Sequence, residues 1–139
     1  MLVIAIITKI RYSFYREVNR NELQIIQGLS LTGLKNLKEL RLKRNKIETL
    51  HDGAFWPLEN LTILQLDFNL LTMVRKGGLF GLEHLQKLTL SHNRIHTIEM
   101  QAWDRCKEIV ELLVIFSFCD ILITIGLRNS KCSCTIDYK

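Results

Sequence analysis

Asparagine returns at a fixed interval of 24 residues along this chain, at Asn21, Asn45, Asn69 and Asn93. Leucine keeps the same interval: Leu34, Leu37, Leu40 and Leu42 precede Asn45, Leu58, Leu61, Leu64 and Leu66 precede Asn69, and Leu82, Leu85, Leu88 and Leu90 precede Asn93. Each of these asparagines is followed by Ile47, Leu71 or Ile95, then by Leu50, Val74 or Ile98, and then by a large apolar residue at Phe55, Leu79 or Trp103. A unit this short cannot enclose a core alone, so successive units must stack and share one.

The spacing within a unit sets the course of the chain. Leucines two apart, such as Leu40 and Leu42, point to one side of an extended strand while Arg41 and Lys43 point to the other. One such strand per unit predicts a parallel sheet and a curved solenoid. The expected class is α/β, with short parallel strands on the concave face, an irregular or short helical convex side, and about three full 24-residue repeats plus a partial one. Where each strand ends the chain must bend inward, and a buried amide can bond the backbone groups left unpaired there. That structural role is assigned to Asn21, Asn45, Asn69 and Asn93.

The outward strand positions form the candidate ligand face: Arg41, Lys43, Arg44, Ile63, Gln65, Asp67, Phe68, Lys87, Thr89 and His92. The net charge of +5 permits an anionic partner. However, the basic residues of the first strand give way to mixed residues in the next two, and a surface that tracks phosphates needs charge repeated along its length. A protein ligand or receptor ectodomain is therefore the expected partner, and no nucleic acid is expected. The chain has no glycine-rich phosphate loop, no Gly-x-Ser-x-Gly turn and no paired acids of the hydrolase kind, so no enzyme activity is expected. His51, His84, His92 and His96 lack a carboxylate or cysteine to complete a ligand set, so neither metal nor cofactor is expected. Asn60-Leu61-Thr62 matches the acceptor pattern for N-glycosylation.

The pattern LxxLxxLxLxxNxIxxLxxxxF is that of the leucine-rich repeat in its 24-residue extracellular-type form. The segments LKNLKELRLKRNKIETLHDGAFWPLENLTILQLDFNLLTMV and GLEHLQKLTLSHNRIHTIEMQAWDRCKEIVEL resemble, over residues 18 to 112, the ectodomain repeats of the leucine-rich repeats and immunoglobulin-like domains family. The pairing of Trp103 with Cys106 in QAWDRCKEI belongs to that resemblance. It implies a non-catalytic protein-binding module from a glycoprotein of the extracellular or cell-surface membrane compartment, receptor-like, that modulates growth-factor receptor signalling. The chain departs from the family at both ends. No cysteine-bearing cap precedes the repeats, no immunoglobulin-like domain follows them, and Ser117 stands where the next asparagine belongs. The chain is accordingly expected to be a fragment of such a protein. The competing readings are a truncated or read-through product without independent function, and an intracellular leucine-rich-repeat scaffold.

The expected divisions are a divergent apolar N-terminal segment at 1–17, a partial repeat at 18–33, repeats at 34–57, 58–81 and 82–105, and a degenerate repeat or divergent apolar tail at 106–139. MLVIAIITKI has no basic residue before its apolar run and no small-x-small cleavage site, which makes a poor secretory signal. Just ahead of the partial repeat, Arg16 falls where a core leucine belongs. The 109–127 stretch is long and apolar enough to be weighed as a membrane contact, but Asp120 brings the balance for insertion close to zero. It reads equally as a fourth, degenerate repeat or as read-through sequence. Cys132-Ser-Cys134 is similar to the Cys-x-Cys of cysteine-rich caps, without partner cysteines beyond it.

Overall fold

In the computed structural model, residues 14–27, 30–99 and 101–114 are described. Among the described residues nine short strands follow one another. The odd-numbered ones, β1 (Tyr15–Glu17), β3 (Glu39–Arg41), β5 (Ile63–Gln65), β7 (Lys87–Thr89) and β9 (Glu111–Leu113), form one five-stranded parallel sheet in that order. Opposite it lie two-residue strands: β2 (Ile25–Ile26) pairs with β4 (Thr49–Leu50), and β6 (Met73–Val74) pairs with β8 (Thr97–Ile98). Leu40 faces Leu64, Leu64 faces Leu88, and Leu88 faces Leu112, so the 24-residue sequence interval is the register of the sheet. This is the parallel-strand solenoid of about four turns that the repeat predicts. Its convex side is of the irregular kind, turns and two-residue strands, with no helix among the described residues.

The core is a stack of leucine layers. Leu37, Leu40, Leu42, Leu58, Leu61, Leu64, Leu66, Leu82, Leu85, Leu88 and Leu90 are fully buried, and Phe55 closes the far side of its turn. Each such leucine contributes about 2 kcal/mol by leaving water, which is why the pattern tolerates wide variation at the outward positions between.

The asparagines do more than close their own bends. Asn69 Nδ2 donates to Leu66 O at 2.9 Å in its own turn and to Leu42 O at 2.9 Å in the preceding one, while its Oδ1 accepts from Ile47 N at 3.1 Å. Asn45 donates to Leu42 O and Val18 O, and Asn93 to Leu90 O and Leu66 O. Consecutive asparagines therefore share a carbonyl: Leu42 O accepts from Asn45 and Asn69, and Leu66 O from Asn69 and Asn93. Asn21 is different. It is half-buried, its Nδ2 donates to Asn19 O, and its backbone N–H donates to Asn45 Oδ1.

The ladder already includes Tyr15–Glu17, inside the segment assigned to 1–17, and Arg16 stands half-buried in register with Leu40. At the other end Ile109, Leu112 and Val114 are buried in the solenoid, so the first residues of the 109–127 stretch belong to a repeat. Among the described residues no helix is long and apolar enough to cross a membrane. The signal reading of residues 1–10, the rest of the tail, Ser117 and the Cys132-Ser-Cys134 cap reading lie outside the described residues. Trp103 and Cys106 are both buried. Burial pushes the Cys106 thiol up to about 12, leaving almost no nucleophilic thiolate at neutral pH. We expect Cys106 to resist alkylation at pH 8 in the folded chain and to react once urea exposes it. Mapping the alkylated peptide by mass spectrometry checks this, and rapid labelling without urea would contradict the burial.

A candidate ligand-binding face

The outer face of the five-stranded sheet can be laid out as rows, because equivalent residues align across strands. Tyr15, Glu39, Ile63, Lys87 and Glu111 form one row, and Glu17, Arg41, Gln65, Thr89 and Leu113 form the next. Sequence reasoning overlooked Glu39, on the strand of Arg41, and also Tyr15, Glu17, Glu111 and Leu113, which extend the face by a strand on either side. Stepping 24 positions from Ile63 and Gln65 in both directions would have found them.

These additions change the electrostatics. Arg41 Nε sits 2.6 Å from Glu39 Oε1 and its Nη1 is 3.9 Å from Glu17, while its guanidinium lies 4.8 Å from the Tyr15 ring centroid. Lys87 Nζ meets Glu111 at 2.6 Å. The Glu17 carboxyl is held below the usual carboxylate range, chiefly by the Tyr15 hydroxyl and then by the Asn19 amide. The same bond to Glu17 raises Tyr15, and the bond to Glu39 raises Arg41. What the sequence presents as a basic strand is a face of cations already matched to carboxylates. Ile63 and Gln65, both half-buried, form its uncharged centre.

Two residues expected to be exposed are covered. Asp67 is 5% exposed and Thr89 3%. The Asp67 carboxylate accepts the Thr89 hydroxyl at 2.5 Å, the Ser91 N–H at 3.1 Å and the Lys43 ammonium at 3.0 Å. Alternation aims both side chains outward, but short side chains bonded to neighbours in the next turn are hidden beneath them. Lys43 belongs to the same network, since its backbone N–H donates to Asn19 Oδ1. Asp67→Ala is expected to cost about 2 kcal/mol, below the usual figure for breaking a buried pair because Lys43 is about a third exposed and can turn to water. Thermal unfolding measures it, and an unchanged melting point would mean the network is stabilised no more than its solvated parts.

Arg44, Phe68 and His92 also depart from expectation: they lie past the strands, on the bend, and not on the sheet. Strict alternation would send Arg44 inward with Leu40 and Leu42. Instead it adopts φ 56, as do Arg20 and His92, with Phe68 at 57. This left-handed conformation, uncommon outside glycine, inverts the alternation, turning the side chain out and allowing the next residue, the asparagine, to point in. The outward side chains then stack. The Arg44 guanidinium lies 4.4 Å from the Phe68 centroid, and Phe68 and His92 are parallel within 12° at 4.2 Å.

At the glycosylation pattern, Asn60 Nδ2 donates to Lys35 O and the Thr62 hydroxyl to Lys38 O, both in the preceding repeat. On the convex side an open cleft of about 710 Å³ mixes Arg75, Lys76 and Arg105 with Asp52, Glu99 and Asp104, and Trp56 stacks on Phe80 at 4.7 Å.

A leucine rich repeat family model matches residues 17–71 and 59–116. No curated protein matches the chain by sequence. Among solved structures, the chain is similar to one in the crystal structure of the TLR13–ssRNA13 complex, at 36% identity over 84% of this chain and 16% of that one, TM-score 0.77. It is similar to one in the glycosylated Drosophila Toll–Spatzle complex, at 33% identity over 58% of this chain and 11% of that one, TM-score 0.56. It is also similar to human 5T4, at 31% identity over 58% of this chain and 30% of that one, TM-score 0.53. The chain thus spans less than a third of each.

Proposed function

The chain belongs to the leucine-rich repeat family, and from that premise we propose that it is a non-catalytic protein-binding module whose outer sheet face is the contact surface. The observation that carries this reading is the composition of that face: an uncharged centre at Ile63 and Gln65 flanked by matched charges. A surface whose charges are already matched binds by shape and by apolar contact at its centre, as protein interfaces do, with the charges forming the rim. The likeness to parts of the Toll and TLR13 chains and to 5T4 supports a parent protein of the extracellular or cell-surface compartment. Modulation of growth-factor receptor signalling is the finer proposal that the family resemblance suggests. A second reading, RNA binding, follows from the TLR13 complex, which contains single-stranded RNA. The pairing of Arg41, Lys43 and Lys87 with carboxylates weighs against it, since those cations are not free to replace counterions on phosphates.

The test is a binding screen of the chain against an array of purified secreted ectodomains, with a single-stranded RNA arm. A binder is expected whose signal is lost in Ile63→Glu/Gln65→Glu and kept in Arg75→Glu on the convex side. Loss with the convex variant alone, or saturable binding to RNA only, would overturn the proposal.

A further inference from the structure

The sheet face matches its cations to carboxylates at contact distance, and on the bend the arginines lack such a contact, with Arg20 acting on Glu17 only at longer range. Among the described residues no carboxylate lies at ion-pair distance from Arg20, Arg44 or Arg94, whereas Arg41, Lys43 and Lys87 each have one. Lys46, two residues past Arg44, pairs with Glu22 at 2.9 Å. Arg20, Arg44, Phe68 and His92 occupy equivalent positions in four successive turns and share the same left-handed backbone, so the repeat itself lines them up.

The column has a definite surface. Both faces of the Phe68 ring are taken, one by the Arg44 guanidinium and the other by the His92 imidazole, and Phe68 as a residue is 40% exposed. A nucleobase therefore finds no free face of Phe68 on which to stack. Arg44 is exposed and its guanidinium, held 4.4 Å from the ring centroid, has donors to spare; a guanidinium can receive a carboxylate through two parallel hydrogen bonds.

We propose that this bend column anchors an acidic, extended segment of a protein partner, with carboxylates on the outward edges of Arg20 and Arg44 and an apolar side chain against the edge of Phe68. Successive turns of the sheet lie about 4.8 Å apart and an extended chain advances about 3.3 Å per residue, so roughly four or five partner residues span the column. The inference rests on the protein-binding reading above and adds to it the chemistry of the partner and the place where it is gripped. It also accounts for an aromatic ring at a left-handed position, where asparagine or glycine would be less strained.

The probes are a glutamate-rich peptide with a central phenylalanine, the same peptide with glutamine for every glutamate, and a single-stranded RNA oligonucleotide of equal charge, each titrated against the full 139-residue chain. Arg44→Asn and Arg20→Asn remove the guanidinium at a backbone conformation that asparagine tolerates, which protects the fold. The expected result is binding of the glutamate peptide that weakens about tenfold in each variant, fades with salt, and is absent for the glutamine peptide. Equal binding of both peptides, unchanged affinity in both variants, or tighter binding of RNA overturns the proposal. If the glutamate peptide is insensitive to Arg20 and Arg44 but lost in Ile63→Glu/Gln65→Glu, the bend assignment fails while the sheet-face reading stands. Insensitivity to both sets of variants sinks both.

Discussion

Asn69→Ala is expected to lower the unfolding free energy by about 3 kcal/mol, one of the largest effects of any single polar substitution in the chain. The side chain is 3% exposed and makes bonds to Leu42 O, Leu66 O and Ile47 N. Alanine leaves the Ile47 N–H without that acceptor in a dry interior, at about 1 to 3 kcal/mol, and forfeits two further bonds worth about 1 kcal/mol each. The carbonyls suffer less than the amide, because Leu42 O keeps Asn45 as a donor and Leu66 O keeps Asn93. That sharing makes a sharper expectation possible. Asn45→Ala combined with Asn69→Ala strips both side-chain donors from Leu42 O, so the double variant should lose about 1 kcal/mol more than the two singles together. Urea titration of the four proteins, with a common slope, gives the coupling. Strict additivity would mean that the asparagines act as separate caps and not as a ladder. Asn21→Ala should cost only about 1 kcal/mol, since Asn21 is half-buried and its amide bonds a carbonyl in its own bend.

Where sequence reasoning succeeded, it did so because two periods, 24 between turns and 2 within a strand, are set by backbone geometry. The layers at Leu40, Leu64, Leu88 and Leu112 and the order of the sheet follow from counting. What counting missed is informative. Alternation says which side of a strand a residue faces, not whether it stays exposed, and so Asp67 and Thr89 were placed outward without the network that covers them. Nor does alternation survive a left-handed residue. Arg44, Phe68 and His92 carry no glycine or asparagine to announce φ near 56, yet the inward turn of the following asparagine requires it. The partners of Arg41 and Lys87 are legible in principle, because Glu17, Glu39 and Glu111 stand in the same two rows of the sheet, Glu39 within a complete repeat and Glu17 and Glu111 one strand beyond. Selecting cations without the carboxylates beside them overstated how basic the face is. The free charge lies a few residues on, at the bend, where only the coordinates distinguish paired from unpaired.

The final expectation concerns two glycines that the sequence presents as equals. Gly33 and Gly81 both precede the first leucine of a repeat and both have positive φ, 88 and 98; Pro57 holds the corresponding place in the repeat between. A side chain at either position suffers the left-handed penalty of about 1 to 2 kcal/mol, partly offset by restricting the unfolded chain. Only at Gly81 is there also no room. A Cβ there would lie 2.6 Å from Trp56 Cα, 3.0 Å from Phe55 O and 3.1 Å from Trp56 N, all backbone atoms of the preceding turn, whereas at Gly33 it meets nothing within 4 Å. Backbone cannot rotate aside as a side chain can, so relief requires one turn to shift against the next and disturbs the stack of Trp56 on Phe80. Gly33→Ala is therefore expected to cost about 1 kcal/mol and Gly81→Ala about 3 kcal/mol or more, in the range of overpacking a tight core. Urea midpoints measure the difference, and a change in tryptophan fluorescence should accompany the Gly81 variant alone, as Trp56 leaves its partner. Equal costs would mean that the turns slide past each other freely, and the solenoid would then owe its rigidity to the leucine layers and asparagine ladder without help from this close backbone contact.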